Sequence, residues 1–303
     1  MHIRRSPFFY VGDKYKIISK IKQYFPKKIN RFIEPFTGGG TVFLNVDAKH
    51  YLLNDIDKNV YSLQNYLLCY ATDPKNIFDE IFYVLKKYNF SRSYFEDIVP
   101  SKLKKIWKKT YYARFNKNGY AELRKDFNES RKKNLLELYV LLIYGFNRML
   151  RFNSKGKFNL PVGNVDFNKN VYNSLSDYFK FVINKDIKWH SLDFSIFIKS
   201  IKYKKDDFVY LDPPYLISSS EYNKLWNTNK EHLLTKSLDE LNNKGVKWAI
   251  SNVASYRGRE NRIFTTWMRN YNVFKIDSNY ISYHNNFKKE IKEVLVTNYD
   301  KEK

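Results

Sequence analysis

RFIEPFTGGGTVFLNVDAKHYLLNDID, residues Arg31 to Asp57, is the stretch on which the fold turns. A short apolar run leads into Gly38-Gly39-Gly40, an apolar segment follows, and a second run ends in acids. The spacing predicts strand, glycine turn, helix and strand. Comparable runs recur downstream: DIKWHSLDF (Asp186 to Phe194), DDFVYLDPPY (Asp206 to Tyr215), KGVKWAISNV (Lys244 to Val253), YNVFKIDS (Tyr271 to Ser278) and KEIKEVLVTNY (Lys289 to Tyr299). Helical periodicity lies between them, as in KEHLLTKSLDELNNKG (Lys230 to Gly245). Repeated β/α units imply an α/β fold with a mostly parallel sheet.

From residue 60 to residue 185 the character changes to helical segments rich in Lys, Tyr and Asn, such as KNIFDEIFYVLKKY and RKKNLLELYVLLIYGFNRML. The chain therefore reads as a sheet-bearing domain made of residues 1–59 and 186–303, with a mainly helical insert at 60–185. Near the end of the insert, RFNSKGKFNLPVG (Arg151 to Gly163) has two β-prone pieces around Ser154-Lys155-Gly156-Lys157, which predicts a hairpin with a basic tip.

Composition narrows the class. The 303 residues carry 54 Lys+Arg against 31 Asp+Glu, a formal net charge of +23. Hydrophobic residues at 43% and aromatics at 18% exclude a disordered chain and leave a globular one with a polyanion as its expected partner. Cys69 alone excludes an intramolecular disulfide or a cysteine zinc cluster. His50, His190, His232 and His284 show no metal-like spacing, so no metal is expected. The N-terminus lacks the apolar stretch of a signal peptide. The longest apolar candidate, Leu135 to Phe146, is too short for a bilayer and is interrupted by Glu137. A cytoplasmic protein is expected.

The most specific string is Asp212-Pro213-Pro214-Tyr215, directly after the apolar run Phe208 to Leu211. Methylating an exocyclic amine of a base requires acceptors that grip the amino hydrogens and leave the nitrogen lone pair aimed at a methyl donor. The Asp212 carboxylate and the Pro213 carbonyl can supply them at the C-terminal edge of a strand, where α/β sheets place ligands. Pro213 has no N–H to compete, and Tyr215 offers a ring on which an extruded base can stack. A strand ended by a Pro-Pro turn with an Asp cap would need the same residues. In Phe36-Thr37-Gly38-Gly39-Gly40 the glycines let a nucleoside-type ligand approach the backbone, and Asp55, at the end of the next run, can accept from both ribose hydroxyls. The spacing G-x-G-x-x-G is absent, which favours S-adenosylmethionine over a dinucleotide.

Together these stretches resemble the Dam-type, α-group DNA adenine-N6 methyltransferases. The resemblance is carried by Phe9 to Lys14, the Phe32 to Gly40 glycine motif, the Arg151 to Gly163 hairpin and Asp212 to Tyr215 with Ser218 to Ser220 behind it. It is also carried by the last strand, Val294 to Tyr299. It implies a Rossmann-like S-adenosylmethionine-dependent methyltransferase sheet. Cofactor contacts are expected from Tyr10, Lys14, Phe36, Gly38, Gly40 and Asp212. Asp55 is expected on the ribose, and Asp193 and Phe194 flanking the cofactor adenine. Asp212, Pro213, Pro214 and Tyr215 would hold the target adenine. The family commonly has Gly-Gly-Lys where this chain has Gly12-Asp13-Lys14, and Gly-Asp-Phe where it has Leu192-Asp193-Phe194.

Double-stranded DNA is the implied partner. In the hairpin, Arg151, Asn153, Lys155, Lys157 and Asn159 alternate with apolar or small residues and could face a groove, reading bases. Relatives that methylate GATC usually follow this glycine with an arginine and further bases. Here Gly163 precedes Asn164-Val165-Asp166, which puts GATC in doubt. Basic runs at Lys102 to Lys109, Arg131 to Lys133 and Arg257 to Arg259 could neutralise phosphates. A companion restriction endonuclease and a monomer or weak dimer fit this reading. Methylation of another amine, RNA adenine or cytosine N4, and a non-catalytic basic DNA-binding protein that kept the fold are the alternatives.

Overall fold

A computed structural model describes residues 2–96, 98–131, 133–217, 226–276 and 291–301. Ser218 to Ser220, Lys132, His284 and the outer ends of the last two predicted strands lie outside the described residues. Eight strands are present among those described: β1 (Arg31–Glu34), β2 (His50–Asn54), β3 (Asp186–His190), β4 (Asp207–Leu211), β5 (Lys247–Tyr256), β6 (Arg259–Glu260), β7 (Asn272–Ile276) and β8 (Ile291–Thr297). Ten helices accompany them: α1 (Ile18–Lys22), α2 (Lys58–Cys69), α3 (Pro74–Lys87), α4 (Ser101–Trp107), α5 (Tyr111–Glu129), α6 (Leu135–Tyr144), α7 (Lys169–Val182), α8 (Phe194–Ser200), α9 (Thr228–Asn243) and α10 (Arg262–Trp267).

The sheet runs β3-β2-β1-β4-β5-β8-β7, with β6 paired to β5. Strands β3 through β5 are parallel, while β8 is antiparallel to both of its neighbours. The order reverses between β1 and β4: the chain winds outward to β2 and β3 on one side and to β5 on the other. At such a reversal the connections leave in opposite directions and open a crevice at the strand C-termini. Glu34 and the glycine segment leave β1 there, and Asp212 leaves β4. The register of this pair is pinned at its far end, where Arg31 sits opposite Asp207 and donates through Nε to Oδ1 at 3.0 Å and through Nη2 to Oδ2.

Alternation along the strands distributes the apolar side chains to two faces. Phe32, Tyr51, Phe208 and Tyr210 face a core completed by α2, α3, α6 and α7. Ile33, Val209, Leu211, Trp248 and Ile250 face a second core completed by α8, α9 and α10. Because both faces are covered, every residue of β4 is buried, which is why it reads as an unbroken apolar run. Apart from Glu137 in its first turn, helix α6 is apolar all round, and Leu138 to Tyr144 are buried. Side chains start the helices where the sequence changes period: Asp57 caps α2, Asn134 caps α6, Asn168 caps α7 and Asp193 caps α8.

The helix expected between the glycines and β2 is instead one 3-10 turn, Phe43–Asn45. Glu34 accepts from the Phe43 N–H at the start of the turn, and Val46 ends it by turning extended, its carbonyl accepting from the Tyr51 hydroxyl at 2.8 Å. The hairpin is present in compact form. Phe152 and Phe158 pair antiparallel, Asn153 N–H bonds Lys157 O at 2.9 Å, and Gly156 closes the turn at φ +69°. Helix α5 braces it: Asn128 donates to Phe158 O at 2.9 Å and accepts from Phe158 N–H at 2.8 Å, while Arg124 donates to Leu160 O at 3.1 Å. Asn128→Ala removes the partners of both backbone polar groups of buried Phe158. It should destabilise the protein by about 1–3 kcal/mol in urea unfolding; a loss below a few tenths would show that α5 does not hold the hairpin.

Candidate active site

At the reversal point one buried lysine gathers the groups that the sequence separates by some two hundred residues. Lys14, 3% exposed, lies on the segment entering α1. Its Nζ is 2.6 Å from Asp212 Oδ2, donates to Tyr215 Oη at 2.8 Å, and stands 3.9 Å from Glu293 Oε1 on β8. Tyr215 Oη in turn donates to Asp212 Oδ1 at 2.9 Å. Both oxygens of Asp212 are thereby aimed, and the Tyr215 ring is tethered 5.3 Å from the ammonium. Pro213 and Pro214 fix the backbone between the two side chains, and Pro213 is buried. A lysine removed from water to this extent is costly unless carboxylates surround it, and they do.

Glu34 ends β1 beside this group. Burial first, and the nearby Asp212 second, push its carboxyl well above the ordinary range; its Oε2 has no hydrogen-bond partner among the described residues. Asp55, just past β2, accepts from Gly38 N–H at 2.8 Å and from Asp57 N–H at 2.9 Å. Burial pushes it up to about 6 despite those bonds. Gly39 allows the close approach between the glycine segment and the N-terminus, since a Cβ there would stand 2.7 Å from Tyr10 Cβ. Tyr10, Gly38 and Gly39, with Phe8, Gln64 and Leu142, line a small pocket. Gly40 packs on the Phe43 ring.

On the other side of the β1 terminus three rings meet. Phe36 and Phe194 lie 5.2 Å apart, and Trp226 stands 5.7 Å from the first and 5.6 Å from the second. Asp193 caps α8 and takes Lys230 Nζ at 2.5 Å. Burial opposes its ionisation, but Lys230 and Ser195 hold its carboxyl below the ordinary range.

The structure thus brings Lys14, Asp212 and Tyr215 into one cluster, Tyr10, Gly38, Gly40 and Asp55 beside it, and Phe36, Asp193 and Phe194 across the β1 end. The hairpin residues form a separate group. Arg151 bonds Asn159 through Nε to Oδ1 at 3.0 Å and through Nη2 to its carbonyl at 2.7 Å. Asn153 Oδ1 accepts from Lys155 and Lys157 N–H at 3.0 Å each, so part of that side chain builds the turn.

Sequence reasoning missed Glu293, Gln64 and Trp226. An acid inside the apolar run before Val294 was a readable signal for the first. Gln64, 1% exposed with Oε1 unpartnered among the described residues, gave none. Trp226 stands alone after Ser218 to Ser220, with no pattern around it.

Asp55 makes a pH-dependent contribution of known sign. Its folded value lies above its unfolded one, so the folded form holds the extra proton. Its stability contribution is complete below about 4 and is lost as pH rises through about 6. Asp55→Asn should therefore flatten the fall in urea midpoint between those pH values relative to the parent; an unaltered slope would show that Asp55 is ionised throughout.

Residues 10–282 match the D12 class N6 adenine-specific DNA methyltransferase family. Modification methylase StsI of Streptococcus sanguinis is 32% identical over 98% of this chain. The type II methyltransferase M1.LlaDCHI of Lactococcus lactis subsp. cremoris is 27% identical over 98% of this chain and 96% of its own length. The DNA adenine methylase of Haemophilus influenzae is 29% identical over 73% of this chain and 68% of its own length. The chain spans 43% of the StsI methylase and 43% of M.FokI of Planomicrobium okeanokoites. With the glycine segment and Asp-Pro-Pro-Tyr at one sheet reversal and a match over most of its length, the chain belongs to the D12 class N6 adenine-specific DNA methyltransferase family.

Proposed function

We propose that the protein transfers a methyl group from S-adenosylmethionine to N6 of adenine in double-stranded DNA at a specific short sequence. The observation that carries this is the cluster of Lys14, Asp212 and Tyr215 at the sheet reversal. It sets an oriented carboxylate and a tethered aromatic ring at the sheet reversal, next to a half-buried acid, Asp55, that can bind a ribose.

The residues present fit the donor. Asp55 is a half-buried carboxylate aimed at the glycine segment and suits a pair of vicinal hydroxyls. Phe36 and Phe194 present rings, and Asp193 presents an acceptor, for an adenine. Tyr10, Lys14, Gly38 and Gly40 line the route between them. When bound, S-adenosylmethionine supplies an electrophilic methyl on a sulfonium. Everything else is positioning by this chain. An adenine swung out of the duplex stacks on Tyr215, and its amino hydrogens are accepted by Asp212 and by the Pro213 carbonyl. The nitrogen lone pair is then drawn out of ring conjugation and faces the donor. Lys14 keeps the Asp212 carboxylate in that pose. Asp212 need not be a strong base, because the methylated, cationic amine sheds its proton readily.

Residues 60–185 act as the recognition insert in this reading. Arg151, Asn153, Lys155, Lys157 and Asn159 present the hairpin to a groove, and the exposed lysines of α4 contribute sequence-independent attraction. Where GATC-methylating relatives have an arginine after the hairpin glycine, Asn164 is committed to the scaffold: it donates to Lys109 O at 2.6 Å and accepts from Ala113 N–H at 3.1 Å. This supports a target other than GATC. A cognate endonuclease belongs to the same proposal. Among the described residues no helix is long and apolar enough to cross a membrane.

Long-read modification mapping of DNA from cells expressing the protein should show N6-methyladenine within one short motif. Asp212→Ala should lower methylation about 10²–10³-fold, the cost of removing a transition-state acceptor. Unmodified DNA with the parent protein would refute the activity. Arg151→Ala should relax or abolish the motif while calorimetric cofactor affinity stays within a few-fold; parallel loss of both would mean the hairpin is scaffold. Cofactor affinity should also rise as pH passes upward through about 6, where Asp55 ionises, and Asp55→Asn should be weaker and flat.

A further inference from the structure

We propose that Arg5 and Arg148, which share the ring of Phe9, form a clamp for a phosphodiester of the DNA backbone between the catalytic cleft and the hairpin. The inference rests on DNA being the substrate, and assigns a contact outside the hairpin and outside the cofactor crevice.

The two guanidinium carbons lie 4.5 Å and 4.0 Å from the Phe9 centroid, and Arg5 also stands 4.9 Å from the ring of Tyr15. Two like charges on one ring repel unless an anion joins them. The described residues supply a poor one. Asp13 Oδ2 is 4.0 Å from Arg5 Nε, beyond a hydrogen bond, and that Nε is buried with no partner. Burial raises the Asp13 carboxyl, weakening it further as a counter-ion. Arg148 makes one long bond, Nε to Ile143 O at 3.4 Å; burial, and then Arg5, push it down to about 10.

The backbone gives a second, independent reason. Phe9, Asn147 and Arg148 are all non-glycine residues in left-handed conformation, at φ 49°, 53° and 50°. Such conformations are uncommon, gather at functional sites, and here turn Arg148 back over Phe9. The location is suitable. Phe9 immediately precedes Tyr10 and the segment to Lys14, and Arg148 lies three residues before the hairpin begins at Arg151. Phe146, half exposed between them, is tied to the hairpin's return strand through its N–H to Pro161 O at 2.9 Å. A backbone phosphate flanking the extruded adenine would meet both forks, and paired guanidiniums suit a phosphate's oxygens better than a point charge does.

The test uses the full chain and a 20-bp random-sequence duplex, so it does not depend on knowing the target motif. Binding is followed by fluorescence anisotropy across a KCl series for the parent, Arg5→Gln, Arg148→Gln and Arg148→Lys. Each neutral variant should reduce the slope of log K against log salt, and Arg5→Gln combined with Arg148→Gln should reduce it by about 1, the share of the one phosphate they hold. Arg148→Lys should keep the parent slope, and calorimetric affinity for S-adenosylmethionine should stay within twofold in every variant. An unchanged slope in both neutral variants would overturn the clamp and leave the pair as a packing brace. A cofactor affinity falling in step with DNA affinity would overturn it in favour of the cofactor or the fold. Should Arg148→Gln not fold, Arg5→Gln, whose side chain is 38% exposed, decides the question by the same slope.

Discussion

A lysine almost sealed from water, with a carboxylate 2.6 Å away and a phenol bridging the two, is the constraint around which the sheet reversal is built. Its three segments come from the N-terminus, the end of β4 and the start of β8, so the arrangement exists only when the sheet is fully assembled. Removing Lys14 or Asp212 leaves the other's charge without its closest partner, which costs more than the pair itself contributes. The site and the fold are therefore not separable here: the group that orients Asp212 also helps close the centre of the molecule.

The same logic explains the surplus of acid near that lysine. Glu34 and Asp55 are carboxyls whose ionisation burial opposes, raising their proton affinity, and Glu293 is buried beside the same lysine. A crevice with this bias is suited to a ligand that brings a positive charge and hydroxyl donors of its own. On the opposite end of the sheet, Arg31 and Asp207 satisfy one another bidentately, and no such bias remains. One end of the β1–β4 pair is closed electrostatically and the other is left receptive.

Much of this was legible in the order of residues. Parallel strands buried on both faces produce unbroken apolar runs, so β4 and β5 stood out, and Asp-Pro-Pro-Tyr could be placed on a strand's end from its neighbours alone. The segment after the glycines was not legible as a single 3-10 turn, because what ends it is Val46 turning extended with its carbonyl held by the Tyr51 hydroxyl of β2, a contact set by the packing of the fold. Asn153 looked like a base reader and Asn164 like a break in the family pattern. Both proved to have local bonding duties that composition cannot reveal. Glu293 lies nearly three hundred positions from the lysine it approaches, and no periodicity connects them. Trp226, the third ring beside Phe36 and Phe194, depends on how the chain returns from outside the described residues.

One apolar cluster runs without interruption from Phe32 and Phe208 on the sheet through Leu63, Leu142 and Leu175 to Phe158 under the hairpin. The helical segment 60–185 is thus not a bead threaded onto the sheet; it is the sheet's own roof. Transplanting residues 60–185 from a relative would strip half of the sheet's cover and oblige every facing side chain to fit a foreign surface. Side chains at the rim, among them the exposed ones between Arg151 and Asn159, can change while the roof beam, α6, stays as it is.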